Sequence, residues 1–298
     1  MPLVSVVMST YNRSDVLRLA VSTVLAQSTS DWELIVVGDA CTDDTANVVA
    51  SFGDERIRFV NRSENFGEQS GPNNDGVALA RGRFVAFLNH DDLWLPHHLE
   101  TCIDAIEKSG ADLVFTEPLL ANSNGTTTVN GASAFGEYAP EIFAPASTWL
   151  FRRELATQVG PWRAAQECFA VPSQDWLYRA WRSGKKMVAV SKVTLIVIAS
   201  GMRSNSYASR DEEHQHWLRR MREEPDLIEK EMTSIAARMA AENVGISVSR
   251  HLSRAAKNAF RRFFKLIGVH SHAARNAVLF RRRGGAMAHI RKVRGLAS

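Results

Sequence analysis

Residues 82–96 read G-R-F-V-A-F-L-N-H-D-D-L-W-L-P, and the order of chemistry along them decides the fold class. Residues 83–88 are short, apolar and rich in strand formers, which predicts a buried strand. The run breaks at once into Asn89, His90, Asp91 and Asp92, and a helical pattern follows over 96–109. The same switch occurs twice upstream: 3–8 (LVSVVM) runs into 9–13 (STYNR), and 33–37 (ELIVV) into 39–45 (DACTDDT). Further strands are expected at 57–60 and 112–115, one or two more within 187–200, and helices at 14–27 and 43–51. A Gly/Asn-rich loop is expected over 61–75 and an irregular, functional loop over 116–145. Strands alternating with helices at this spacing predict an α/β fold with a mostly parallel sheet. In such sheets the ligand crevice lies beyond the carboxyl ends of the strands, where the polar clusters fall.

Composition narrows the class. With 298 residues, 45% hydrophobic and 23% charged, the chain is long enough for a sizeable core and unlike a disordered or fibrous protein. No apolar run reaches the roughly 20 residues a membrane span needs. Three separated cysteines, Cys41, Cys102 and Cys168, fit neither a disulfide framework nor a zinc cluster, and the N-terminus enters a strand without a basic leader. A cytoplasmic location is therefore expected. The formal charge of +4 is unevenly spread, because residues 245–298 carry 13 Lys or Arg and no Asp or Glu. An acidic body with a basic tail predicts a tail that meets an anionic surface.

Neither a G-x-G-x-x-G nor a G-x-x-x-x-G-K-[ST] occurs, which argues against a dinucleotide dehydrogenase and a P-loop NTPase. Asp91 and Asp92 are adjacent carboxylates at a strand end and repel unless solvated, paired or neutralised by a cation. They suit Mg²⁺ or Mn²⁺ carried by substrate phosphates. Asp92 alternatively caps the helix that follows Pro96.

Three segments in register, V-S-V-V-M-S-T-Y-N-R, W-E-L-I-V-V-G-D-A-C-T-D-D-T and the stretch from Gly82 to Pro96, resemble the family 2 glycosyltransferases. The resemblance covers about residues 3–100 and continues more weakly to 210. It implies a GT-A fold, a Rossmann-like α/β sheet for nucleotide-diphospho-sugars, with a C-terminal helical basic extension. It divides the chain into a nucleotide-sugar-binding half (1–115), an acceptor and catalytic-base half (116–215) and the extension (216–298). It also implies inverting transfer from a UDP-, dTDP- or GDP-sugar to a glycan or lipid-linked acceptor, in cell-surface polysaccharide or glycolipid synthesis.

Residue by residue, the resemblance places Ser9, Thr10, Tyr11, Arg13 and Asp39 around the nucleotide, with loop packing the less favoured alternative for Tyr11. Asn65, Gly67 and Asn74 would line the donor pocket with Asn89 and His90. Asp91, with Asp92 as second ligand or orienting group, would hold a divalent cation, Mn²⁺ or Mg²⁺. Asp175, in P-S-Q-D-W, matches the family base that takes the acceptor proton. Gln174, Trp149 and Trp176 are acceptor-side candidates, the tryptophans competing with a core role. The sequence departs from the family pattern at Gly38, Asn89 and Gln174, and Arg203 stands where a metal-binding His can occur; it cannot ligate a cation and is instead expected to bind the donor diphosphate directly. These departures keep open a catalytically inactive nucleotide-sugar-binding scaffold. A nucleotidyltransferase is disfavoured because S-T-Y-N-R is a poor phosphate loop. His214 and His216 are expected on the surface.

In the tail, Val248, Leu252, Ala256, Phe260, Phe263 and Ile267 recur at helical spacing among Arg and Lys. Residues 248–267 thus predict a basic amphipathic helix at an anionic membrane. Packing against the domain, or against a sister subunit in a homo-oligomer, is the alternative. No nucleic-acid module accompanies the arginines, so nucleic acid is not an expected partner.

Overall fold

The structure, a computed structural model, describes residues 1–130, 136–198, 211–244, 259–260, 263, 266 and 269–296. Arg203 and most of 248–267 lie outside the described residues.

The first half alternates as predicted: β1 (Val4–Thr10), α1 (Ser14–Leu25), β2 (Trp32–Gly38), α2 (Thr45–Ala50), β3 (Ile57–Asn61), α3 (Ser70–Leu79) and β4 (Phe84–Phe87). The chain continues through β5 (Asp92–Trp94), α4 (His98–Ser109), β6 (Leu113–Ala121), β7 (Thr127–Val129), β8 (Trp149–Arg152), α5 (Arg153–Val159), α6 (Pro172–Arg182) and β9 (Met187–Ile198). Helices α7 (Glu212–Glu223), α8 (Leu227–Val244), Ser271–Phe280 and Gly285–Arg294 follow. The sheet order is β3-β2-β1-β4-β8-β6-β9-β5, with β7 beside β6. It is parallel through β3-β2-β1-β4 and in β6-β9, while β8 runs antiparallel to both its neighbours. Residue 115 lies inside β6 and residue 215 inside α7, so the sequence-based divisions cut continuous elements.

The central strands are apolar on both faces because helices cover both. Val4, Val6 and Met8 pack with Leu17, Val21 and Leu99 on one side, while Val7, Ile35 and Val37 share the other core with Phe151, Trp176 and Leu177. Two expectations need correction. The segment 61–75 is not all loop: α3 begins at Ser70 although Gly71, Pro72 and Gly76 are poor helix formers. Packing overrides propensity there, since a Cβ on Gly76 would come within 2.3 Å of Val7 Cγ1. Nor is 116–145 wholly irregular, because β6 extends to Ala121 and pairs with β7.

The stretch 82–96 holds two strands rather than one. After β4 the chain leaves the sheet at Asn89–Asp91 and re-enters it as β5, hydrogen-bonded to β9. Asp92 is therefore a strand residue and caps nothing, since α4 begins at His98 with no side-chain cap.

Candidate active site

A cleft of about 350 Å³ opens where β1, β2 and β4 end. Of the expected donor residues, Ser9, Thr10, Tyr11, Asp39, Asn65, Gly67, Asn89 and His90 line it, as do Asp91 and Asp92. Residues far apart in sequence meet there because parallel strands all deliver their C-terminal loops to one edge.

Asp39 is 4% exposed. Its Oδ1 accepts the Phe66 N–H at 2.8 Å and its Oδ2 the Gly67 N–H at 2.9 Å, with Arg62 Nε 3.5 Å from Oδ1. Gly67 has φ +89°, which lets both N–H groups converge on one carboxylate. Each carboxylate oxygen accepts more than one hydrogen bond, so acceptor capacity remains for a base N–H. The departure at Gly38 has a steric cause. The Asn61 amide clamps Cys41 at both its N–H and its carbonyl, and a Cβ on residue 38 would strike Asn61 Oδ1 at 2.4 Å.

The two acids of the 82–96 stretch differ. Asp91 is half-buried in the cleft wall. Asp92 is 2% exposed, and its Oδ2 accepts from Asn89 Nδ2 at 2.9 Å and from the Ser147 hydroxyl. Burial and the neighbouring Asp91 charge push the Asp92 carboxyl far above the ordinary carboxylate range. Asp92 thus orients Asn89 and Ser147, and Asp91 is the more exposed acid of the two. His90 Nδ1 lies 3.2 Å from the Ser9 carbonyl, and burial lowers its pKa. A neutral ring facing a carbonyl carries its proton on Nδ1, which leaves Nε2 as an acceptor.

Other expected site residues are elsewhere. Arg13 is buried at the start of α1 with its Nε 3.1 Å from Asp15 and does not line the cleft. Asn74 faces a different cavity and ties α3 to the loop before Ala165, donating to the Trp162 carbonyl and accepting its N–H. Trp149 and Trp176 are core residues, 0% and 1% exposed and stacked 5.9 Å apart, so neither offers a platform to a sugar. Gln174 is 1% exposed and donates to the Ala144 carbonyl, its Oε1 buried without a partner. From α6 it is Val171, before the first turn, and Ser173 that reach the cleft. The Asp175 carboxylate lies outside the cleft lining, 3.0 Å from Arg179 Nε and 4.0 Å from Arg163.

Sequence reading missed several groups. His214, expected on the surface, is 6% exposed with no hydrogen bond to either ring nitrogen among the described residues, and the charges of Asp91 and Arg13 act on it. His216 is exposed, as expected. Glu68 and Ser173 line the cleft, and so do Arg291 and Arg294 from the tail, where only the excess of basic residues gave a signal.

Among the described residues no group of three His, Cys, Asp or Glu is placed to hold a metal ion. Asp91, with the hard-oxygen neighbour Asn89 beside it in the cleft wall, has a donor chemistry that suits a divalent cation.

The sequence model described as glycosyl transferase family 2 matches residues 5–160. The chain belongs to that family. Among its relatives, the Escherichia coli UDP-Glc:alpha-D-GlcNAc-diphosphoundecaprenol beta-1,3-glucosyltransferase WfgD is 34% identical over 122 residues, 41% of this chain and 48% of that one. The putative teichuronic acid biosynthesis glycosyltransferase TuaG of Bacillus subtilis is 37% identical over 127 residues, 42% and 50% of the two chains. The chain spans about half the length of the curated relatives it matches. Among solved structures, Staphylococcus aureus TarS 1–349 with UDP-GlcNAc superposes with a TM-score of 0.56 at 19% identity, over 66% of this chain and 58% of that one. The mannosyltransferase PcManGT of Pyrobaculum calidifontis, with GDP-Man and Mn²⁺, gives 0.56 at 15% identity over 94% and 88%. These likenesses establish the GT-A fold for this family 2 chain.

Proposed function

We propose that this protein is an inverting glycosyltransferase that moves a sugar from a nucleoside-diphosphate donor to a glycan or lipid-linked hydroxyl in cell-surface polysaccharide synthesis. The observation that carries this reading is the convergence of Asp39, Asn65, Gly67, Asn89 and Asp91 on one cleft at the strand ends. Support comes also from relatives named for teichuronic acid and succinoglycan biosynthesis and for glucosyl transfer to a diphosphoundecaprenol-linked sugar.

Asp39 accepts the N–H of a uracil, thymine or guanine base, and the Tyr11 ring packs on its face. Asp91 holds the diphosphate side of the donor together with a divalent cation, Mn²⁺ or Mg²⁺, which offsets the charge of the leaving group. Asp175 takes the acceptor proton. To do so its carboxylate exchanges the Arg179 contact for the acceptor hydroxyl, a side-chain rotation within the first turn of α6.

Among the described residues no helix is long and apolar enough to cross a membrane. The protein is proposed to act on the cytoplasmic face, with 248–267 meeting the anionic lipid that carries the acceptor.

The test is binding and slow hydrolysis across UDP-, dTDP- and GDP-sugars, with and without Mn²⁺. Metal-dependent hydrolysis of one donor, lost in Asp91→Ala, is expected. Donor binding that never leads to turnover with any acceptor, unchanged by Asp175→Asn, would favour the scaffold reading. No binding of any donor would overturn the proposal.

A further inference from the structure

The described residues lining the cleft include three acids besides the buried Asp92, namely Asp39, Glu68 and Asp91. A diphosphate entering such a wall is repelled unless cations meet it. Among the described lining residues the cationic side chains are Arg291 and Arg294, both from the C-terminal helix Gly285–Arg294.

That helix is seated by specific contacts. The Gly284 N–H donates to the Cys168 carbonyl at 2.9 Å, and the preceding helix ties Asn276 Nδ2 to the Phe169 carbonyl at 3.1 Å. Met287 and Ile290 turn into the cleft, and Arg291 and Arg294 follow at the spacing that keeps all four on one helix face. Arg291 Nη1 donates to the Gly67 carbonyl across 224 residues of sequence, reaching the loop whose N–H groups Asp39 holds. Arg294 stands near enough for its charge to act on both His90 and Asp92. The two guanidiniums therefore lie between the base-side loop and the strand-end acids, where the phosphates of a nucleotide held at both ends must run.

We propose that Arg291 and Arg294 form the diphosphate-binding wall of the donor site, so that the C-terminal helix is a working part of that site. The inference rests on the donor-site reading above. A guanidinium offers paired N–H donors that match phosphate oxygens, and its charge is permanent, which suits stabilisation of a departing nucleoside diphosphate. It also fits a site with Asn89 in place of an acid, where fixed cations from the tail face the phosphates.

The experiment titrates UDP, dTDP and GDP, and the matching nucleosides, into the full chain and into Arg294→Gln and Arg291→Gln/Arg294→Gln, with and without Mn²⁺. Loss of a charge-assisted contact predicts about 10–100-fold weaker binding of the matching diphosphate, with nucleoside affinity unchanged in Arg294→Gln. Arg294→Lys keeps the charge and loses the fork, so a several-fold loss is expected; it carries the test if the Gln variants fail to fold. Diphosphate affinity equal to wild type, or tighter, in the folded variants would overturn the inference, the tighter result marking the helix as a plug over the cleft. A wild-type chain that binds nucleosides but gains nothing from their diphosphates would overturn it as well. One that binds no nucleotide or nucleoside would bring down the donor-site reading and this inference together.

Discussion

Asp39→Asn isolates the carboxylate that shapes the cleft and, in the proposed function, meets the base. The side chain is buried and each oxygen accepts one backbone N–H, from Phe66 and from Gly67. An amide keeps one acceptor oxygen and turns an NH₂ toward the other N–H, so one charge-assisted bond is lost and one donor is left facing a donor. Together these cost about 3 kcal/mol. With roughly 2 cal/mol/K of unfolding entropy per residue, a chain of this length has a slope near 0.6 kcal/mol/K, so Tm should fall by about 5 °C. The 65–67 loop would also lose its hold, and nucleoside affinity should drop about tenfold or more. Thermal unfolding and nucleoside titration on the same preparations measure both. A Tm within about 1 °C of wild type, with wild-type affinity, would refute the claim that this carboxylate organises the loop.

Three further outcomes are expected. Asp175→Asn should lower kcat by about 10²–10⁴-fold while leaving donor KM unchanged, since the side chain lies outside the donor cleft; an unchanged kcat would move the base elsewhere. Ala40 holds a left-handed φ of 59°, costly for a residue with a Cβ, so Ala40→Gly should gain about 0.5–1 kcal/mol after the extra chain entropy of glycine, read as a higher urea midpoint. Burial holds the His98 imidazole down to about 3, against about 6.5 when unfolded. As pH falls below that unfolded value, the unfolded chain takes a proton the folded one refuses, and stability drops by about 1.4 kcal/mol per pH unit until the folded value is reached. Urea unfolding at about pH 7, 6 and 5 should show a shallower loss in His98→Gln; an identical slope would assign the proton elsewhere.

The parallel half of the sheet was legible because each strand is apolar on both faces and ends in a polar cluster, a pattern set by local sequence. That Ser9, Asp39 and Asn89 line one cleft was legible for the same reason, since Ser9 lies at the end of β1, Asp39 directly follows β2 and Asn89 comes just after β4. What failed was orientation within helices and loops. Nothing in P-S-Q-D-W tells which side chain of α6's first turn faces the cleft, and Ser173 does so where Gln174 and Asp175 do not. Asn74 reads as a ligand residue, but its amide is held by Trp162, a partner 88 residues away. The tryptophans are indistinguishable as core or platform until their neighbours are known, and here they stack with each other.

The sequence by itself determined the α/β class, the strand ends that line the cleft and the family. These rest on short-range patterns: strand-length apolar runs, and motifs whose residues lie within a few positions of one another. The tertiary structure alone decided that Asp92 is buried against Asn89 and Ser147 while Asp91 is half-exposed, that β5 crosses to pair with β9, and that His214 is buried. It also brought Arg291 to the carbonyl of Gly67. Those outcomes depend on contacts between distant segments, and a helix of the tail carries no local mark of the loop against which it will pack.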